Sequence, residues 1–363
     1  IYELTEAKQN LIIEGIAEPA VPSLLRGLSA PVKLEYEYKP EQLAHLMASD
    51  SDGFNRWDAS QTLCLGVLKQ LTQDSLHERP LALNGQVIDA YSALLMDETL
   101  DPAMVALMLQ LPSEARLHEE AETIHAEAIH DARSFMRTAL AGSLANQFLT
   151  LYQRHNIQST YAPDTQQIGS RSVKNSTLNY LMLVGDAGIE LAWHQFKCAD
   201  NMTDKAAALS ALVNCPEAGK YAEQALTEFE LEYRDEALVM NLWLQIQAIN
   251  SQPDGLARVR ELMNHSAFTM SNPNKLRSLI GAFCSANLVN FHKPDGSGYE
   301  FLQQQVIALN NQNPQVAARL VTPLTRWSQF AEPNATLMRN ALQAIADEPG
   351  LVKDVLEIAT KSL

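Results

Sequence analysis

Among the residues of this chain that could do chemistry, the nine histidines come first. Three of them, His118, His125 and His130, stand among Glu119, Glu120, Glu122 and Glu127. A helical zinc site needs His-Glu-x-x-His, because positions i and i+4 bring both rings to one face of the helix. Here His118 opens His-Glu-Glu-Ala-Glu, so Glu122 fills the second ligand position. His125 and His130 are five apart, which turns them away from each other on a helix. This spacing predicts an exposed polar helix face and no metal site. There is no Gly-x-Ser-x-Gly elbow and no Walker sequence. Asp295-Gly-Ser-Gly298 follows Pro294 and precedes a helical pattern, so it reads as a turn that starts the next helix and not as a phosphate cradle.

Two arginines pose a sharper question. If Asn272 caps a helix, Pro273 is its first residue and Arg277 falls in its second turn; Asn313, Pro314 and Arg319 repeat the arrangement. Leu276, Leu279 and Ile280 flank the first cation, and Val316, Ala317, Ala318 and Leu320 the second. A guanidinium in apolar surroundings needs an acceptor, and its fork suits a carboxylate or a carbonyl. Read from the residues alone, a salt bridge to a neighbouring helix is the default, and a ligand-facing cation on a concave wall is the alternative. Trp57, Trp193, Trp243 and Trp327 are scattered without the spacing of a ligand cage and read as packing residues.

The elements that must position these residues are helical. From Pro40 onward, apolar residues recur at three- and four-residue spacing, as in 55–71, 131–152, 206–213, 236–249 and 337–346. Pro40 and the pairs Asp101-Pro102, Asn272-Pro273 and Asn313-Pro314 mark helix starts. About fifteen short helices are expected. Asn272 and Asn313 are 41 residues apart, near the period of HEAT and armadillo helix pairs. The prediction is a mainly α protein, an irregular superhelical stack of antiparallel helix pairs over 40–363, with a concave face. Residues 1–39 differ: Gln9-Asn-Leu-Ile-Ile-Glu-Gly-Ile16 and Val32-Lys-Leu-Glu-Tyr-Glu-Tyr38 read as strands, the second alternating apolar and charged residues. Too few to stand alone, they read as the C-terminal part of a small β-sandwich domain.

A chain of 363 residues can bury a large core, and 46% hydrophobic residues is an ordinary globular fraction. The net charge of −16 argues against nucleic acid and against an anionic membrane face as partners. No apolar run is long enough to span a bilayer. The N-terminus, Ile1-Tyr-Glu-Leu-Thr-Glu, has no basic n-region and reads as the middle of a longer chain. Cys64, Cys198, Cys215 and Cys284 are widely spaced, which predicts buried free thiols in a reducing compartment, the cytoplasm.

Phe268-Thr-Met-Ser-Asn-Pro-Asn-Lys-Leu-Arg-Ser-Leu-Ile-Gly-Ala-Phe283, Phe291-His-Lys-Pro-Asp-Gly-Ser-Gly-Tyr-Glu-Phe-Leu302 and Asn313-Pro-Gln-Val-Ala-Ala-Arg-Leu320 together carry a family resemblance. With Ser29-Ala-Pro-Val-Lys-Leu-Glu-Tyr36, Phe54-Asn-Arg-Trp-Asp-Ala59 and Asn201-Met-Thr-Asp204, they resemble the C-terminal region of the bacterial aminopeptidase N type of M1 zinc metallopeptidases. The resemblance implies the end of that family's small β-sandwich and all of its helical domain, which closes over the active site, forms much of an internal cavity and contains the route by which substrate reaches it. It implies a monomer, and peptides and the catalytic domain of the same chain as partners. The family's zinc ligands, His-Glu-x-x-His with a later glutamate, have no counterpart here, nor has its Gly-Ala-Met-Glu-Asn motif. Zinc is therefore expected in the parent enzyme, and no cofactor, catalytic residue or peptidase activity in this chain. By their place in the matching motifs, Arg277 and Arg319 resemble arginines that project toward the cavity, which implies a substrate-binding role. The competing reading is a free-standing HEAT-like adaptor that binds a partner protein in its groove.

Overall fold

The computed structural model describes residues 3–157 and 159–363. From Pro40 to the C-terminus the chain is a succession of short helices whose consecutive members pack on one another. Pro40–Ser49 lies on Gly53–Leu76, Ala145–His155 on Thr165–Leu181, Asp186–Cys198 on Met202–Val213, and Ser297–Leu309 on both Pro314–Leu320 and Asn334–Ala346. The starts are where the proline and capping residues put them. Asp101 Oδ1 accepts from Ala103 N at 2.7 Å, Asn272 Oδ1 from Asn274 N at 2.9 Å, and Asn313 Oδ1 from Val316 N at 3.3 Å. Each cap satisfies an amide that the first helical turn leaves without a partner.

The helical pattern over 131–152 runs through two helices, Ala126–Ser143 and Ala145–His155, with a break at Leu144, whose backbone (φ −120°, ψ 21°) leaves the helical region. Gly142 and Ser143 precede the break, and such pairs are common sites of sharp kinks. The α-helices number twenty among the described residues, against about fifteen expected, and include pieces as short as Leu288–Phe291.

Among the described residues no strand forms at 9–16 or 32–38, where strands were expected, and Ile1 and Tyr2 fall outside the described residues. A strand needs a neighbouring strand for its ladder, and no strand is formed among the described residues. The period-2 alternation survives in the side chains, with the Tyr36 and Tyr38 rings 4.4 Å apart. Leu11, Ile12, Ile13, Val32 and Leu34 are left exposed. The link to the helices is polar: Arg26 Nη1 meets Asp50 Oδ1 at 2.9 Å, Gly27 N donates to Asp52 Oδ2 at 2.8 Å, and Asn55 Nδ2 donates to Leu24 O at 2.8 Å. The Asn55 and Gly27 amides hold the Asp52 carboxyl below its usual range.

The stack closes on itself. Ile124 and Phe330 form a parallel bridge, with Ile124 N donating to Gln329 O at 2.7 Å and Ala331 N to Ile124 O at 2.9 Å. Arg326 Nη2 donates to His118 O at 3.3 Å, and Leu288–Phe291 packs against Ala126–Ser143. Segments far apart in sequence are thereby brought to one place.

The turn at Asp295-Gly-Ser-Gly298 behaves as expected. Gly296 takes a left-handed conformation (φ 72°), Asp295 Oδ1 accepts from Ser297 N at 2.9 Å, and the helix Ser297–Leu309 begins there. At Gly298 a Cβ would lie 2.2 Å from Phe291 O, so the two backbones meet where only glycine fits. Gly66, inside Gly53–Leu76, has nothing within 4 Å of a Cβ position. Gly298→Ala is expected to lower unfolding stability by about 1–3 kcal/mol, and Gly66→Ala to raise it by about 0.5–1 kcal/mol. Urea denaturation of both variants measures the contrast.

Candidate functional site

The helix that follows Asn272 is interrupted by design of its own hydrogen bonds. Pro273–Leu276 is α-helical, Arg277–Gly281 is a π turn in which Ala282 N donates to Arg277 O, and Ala282–Ala286 returns to α. A π turn carries one extra residue and shifts the side chains beyond it, and such turns are frequent at functional sites. Pro273, Arg277, Gly281 and Ser285 form a stripe on the wall of one cavity of about 910 Å³. Gly281 leaves open the space that a side chain would fill next to the Arg277 stem.

Arg319, on Pro314–Leu320, lines the same cavity, and so does Arg326. Arg277 is exposed and folds back on its own helix, with Nε donating to Pro273 O at 3.1 Å and Nη2 to Asn274 Oδ1 at 2.8 Å. Arg319 is exposed, and its guanidinium has no hydrogen bond or ion pair among the described residues. It also borders a smaller hollow with Asp354 and Glu357, yet Glu357 is paired with Lys361 at 2.5 Å. Arg326 donates to Gln329 Oε1 at 2.8 Å as well as to the His118 carbonyl. The salt bridge to a neighbouring helix, the default reading of these sequences, is thus not formed by Arg277 or Arg319. The cavity lining contains no aspartate or glutamate, although the chain has 43 acidic residues against 27 lysines and arginines.

The floor of the cavity holds residues that sequence reasoning missed or misplaced. His118 was expected on an exposed polar face; instead it is buried, with only 5% of its surface exposed, at the end of the short helix Glu114–Glu120. His125 and His130 are half-buried, and His130 Nδ1 lies 2.8 Å from Glu114 Oε1. The His118 ring stands edge-on to Phe330 (centroids 5.7 Å apart, 89°) and near His292 (5.9 Å). Its Nε2 is buried without a hydrogen-bond partner. No local signal could have revealed this, because the shelter comes from residues 292, 326 and 330. His292 is tied by Tyr299 Oη, 2.9 Å from its Nδ1, while Asn334 Nδ2 donates to that hydroxyl at 2.6 Å and to His292 O at 2.7 Å. With Asn334 donating to it, the hydroxyl gives its own proton to Nδ1, which places the imidazole proton on Nε2. Cys284, also in the lining, is a buried thiol whose pKa is pushed well up by burial, so it is not a reactive nucleophile.

Burial drags the His118 pKa down to about 4, with the Arg326 charge adding to the effect and Glu114 opposing it. Burial and the neighbouring His118 take His292 to about 3. Both rings are therefore neutral at pH 7, and the charge of the cavity comes from its three arginines. An arrangement of this kind offers guanidinium forks, a neutral imidazole and apolar walls to a ligand that carries oxygen acceptors or negative charge.

Among the described residues, no group of three or more His, Cys, Asp or Glu could hold a metal ion. All four cysteines are free; Cys64, Cys215 and Cys284 are buried as expected, whereas Cys198 is exposed. No helix is long and apolar enough to cross a membrane among the described residues. Trp243 is buried and Trp57, Trp193 and Trp327 are half-buried in the packing.

Residues 40–363 match a family described as a domain of unknown function (DUF3458_C) with ARM repeats, and residues 1–37 match one described as a domain of unknown function (DUF3458) with an Ig-like fold. The chain is 38% identical over 365 residues to Aminopeptidase N of Escherichia coli strain K12, covering 100% of this chain and 42% of that protein. It is 37% identical over 363 residues to Aminopeptidase N of Haemophilus influenzae, covering 100% of this chain and 41% of that one. A crystal structure of Legionella pneumophila aminopeptidase A in complex with aspartic acid superposes with a TM-score of 0.84 at 32% identity, covering 94% of this chain and 40% of the other. The chain thus spans about two fifths of the length of these relatives.

The neutral histidines make stability depend on pH. Unfolded, each ring protonates near its usual 6.5; folded, only near 4 and 3. The unfolded state holds more protons across that window, so this contribution is full above about pH 6.5 and is lost as pH falls toward the folded values. The groups facing His118 are Glu114, Arg326 and His292, and none of its ring nitrogens is given up in a hydrogen bond by replacing it with phenylalanine. His118→Phe is expected to flatten the acid limb by on the order of 2 kcal/mol between pH 6.5 and 4, read from denaturant unfolding at stepped pH.

Proposed function

The chain belongs to the ARM-repeat family matched by residues 40–363 and is homologous to the C-terminal region of bacterial aminopeptidase N, and from that premise we propose that it caps the active site of a zinc aminopeptidase and shapes the cavity that receives peptides. The observation that carries this reading is one cavity of about 910 Å³ with three arginines, none of them in an ion pair and no carboxylate in its lining among the described residues. Arg277 and Arg319 are assigned to substrate: their guanidiniums meet the carbonyls or the C-terminal carboxylate of a short peptide. That is positioning and size selection, and no bond is broken by these residues.

Among the described residues no side-chain group suits a zinc ion. His-Glu-x-x-His is missing and the described residues hold no suitable ligand group, so hydrolysis is assigned to another part of the parent enzyme. Residues 1–39 are assigned to the end of its small β-sandwich domain, with the Ig-like family match over 1–37 in support. The parent is proposed to be a cytoplasmic monomer active in peptide breakdown. The free-standing adaptor is the weaker reading, because similarity to aminopeptidase N runs over 100% of the chain.

In the parent enzyme, Arg277→Ala or Arg319→Ala is expected to raise KM for tripeptides about tenfold or more, the loss of one charge-assisted hydrogen bond, while KM for single-residue amides changes less than about twofold. Equal effects on both substrate types would contradict the assignment. For this chain purified alone, elemental analysis is expected to find no stoichiometric zinc, and an aminopeptidase assay no turnover. One zinc per chain would reverse the view that the metal chemistry resides elsewhere.

A further inference from the structure

A second cleft, of about 850 Å³, shares no residue with the arginine cavity. Its floor is the helix Ala126–Ser143, and its walls come from Thr165–Leu181, Asp186–Cys198, Met202–Val213 and the segment around Leu109 to Ser113. Arg133 and Arg137 stand one turn apart on the floor, so their side chains share a face of that helix. Each is held at one nitrogen by a backbone carbonyl: Arg133 Nε donates to Pro112 O at 2.9 Å and Arg137 Nη2 to Asn179 O at 3.2 Å. Neither has an ion pair, and the rest of each fork has no partner among the described residues. Glu114, whose charge Arg133 feels, is already bonded to His130.

Two half-buried like charges side by side, neither in an ion pair among the described residues, favour a ligand whose oxygens can join them. Burial and then the Arg133 charge lower the Arg137 pKa from its usual value. Carbonyl anchors fix the planes of the forks and leave the remaining N–H groups for a ligand with two or more oxygen acceptors. The half-buried hydroxyls of Ser176 and Ser210, which also line the cleft, have no partner among the described residues. Asp186 and Glu217 stand in the lining as well, and neither is paired with Arg133 or Arg137 among the described residues.

We propose that the cleft over Arg133 and Arg137 is a binding site for a small oxyanion, the phosphate or carboxylate group of a soluble metabolite. The proposal rests on these residues alone and does not depend on the peptide-cavity reading. Its test is calorimetric titration of the full chain at low ionic strength with inorganic phosphate and, separately, with succinate. One saturable site is expected, weakened about tenfold or more by Arg133→Gln or Arg137→Gln, and unchanged in the double variant Arg277→Gln/Arg319→Gln. Tighter binding of phosphate assigns a phosphate-bearing ligand, and tighter binding of succinate a carboxylate. No saturable binding of either anion would overturn the proposal, as would a loss of affinity that follows the Arg277/Arg319 variant and not the Arg133 and Arg137 variants. Should Arg137→Gln fail to unfold cooperatively in a thermal melt, Ser176→Leu gives the answer, because it fills the cleft wall and spares both guanidiniums. Binding abolished in Ser176→Leu supports the site, and binding retained there refutes it.

Discussion

The contact on which the rest depends is the parallel bridge between Ile124 and Phe330, two backbone hydrogen bonds joining the first third of the helical region to its last part. A run of helix pairs in which each touches only its neighbours would leave His118 far from Arg326. The closure sets them in contact, and Phe330, now beside the ring of His118, completes the apolar floor of the arginine cavity. Joining such distant points carries a loop-closure cost that grows only slowly with length. The burial of Ile124 and Phe330 and the packing of Leu288–Phe291 on Ala126–Ser143 offset it.

Charge is distributed against the composition. A chain of net charge −16 keeps its carboxylates out of the cavity around Arg277, Arg319 and Arg326, and it holds two histidines neutral beside them by burial. Protonating either ring would add like charge next to the guanidiniums, so the same desolvation that weakens the rings as bases keeps the cavity from accumulating further repulsion. The other pair of arginines, Arg133 and Arg137, is steadied by carbonyl dipoles. In both places a cation is oriented without being neutralised, which leaves most of its field available to a ligand.

What could be read from the sequence was whatever a few neighbouring residues decide. Proline with an Asn or Asp before it fixed the starts at Pro102, Pro273 and Pro314, because a cap is a contact over two or three residues. Apolar spacing gave the helical class, and Arg277 and Arg319 were picked out by their place after those caps. Contacts between distant residues were not readable. The inward turn of His118 and the part played by Arg326 depend on partners more than 160 residues away. The strands at 9–16 and 32–38 showed the right alternation but lack the neighbours a ladder requires. The break at Leu144 and the π turn at Arg277–Gly281 alter the backbone inside segments whose apolar pattern runs on through them.

That π turn ties the reach of Arg277 to residue count more than to residue identity. The loop of backbone from Arg277 O to Ala282 N holds one residue more than an ordinary helix needs. Losing any one residue from it would let the helix wind regularly, turning the upstream stripe by about 100° relative to Cys284 and Ser285. A chain one residue shorter here would present a different wall to the cavity even with every arginine kept, so the number of residues in this turn shapes that wall as much as their types do.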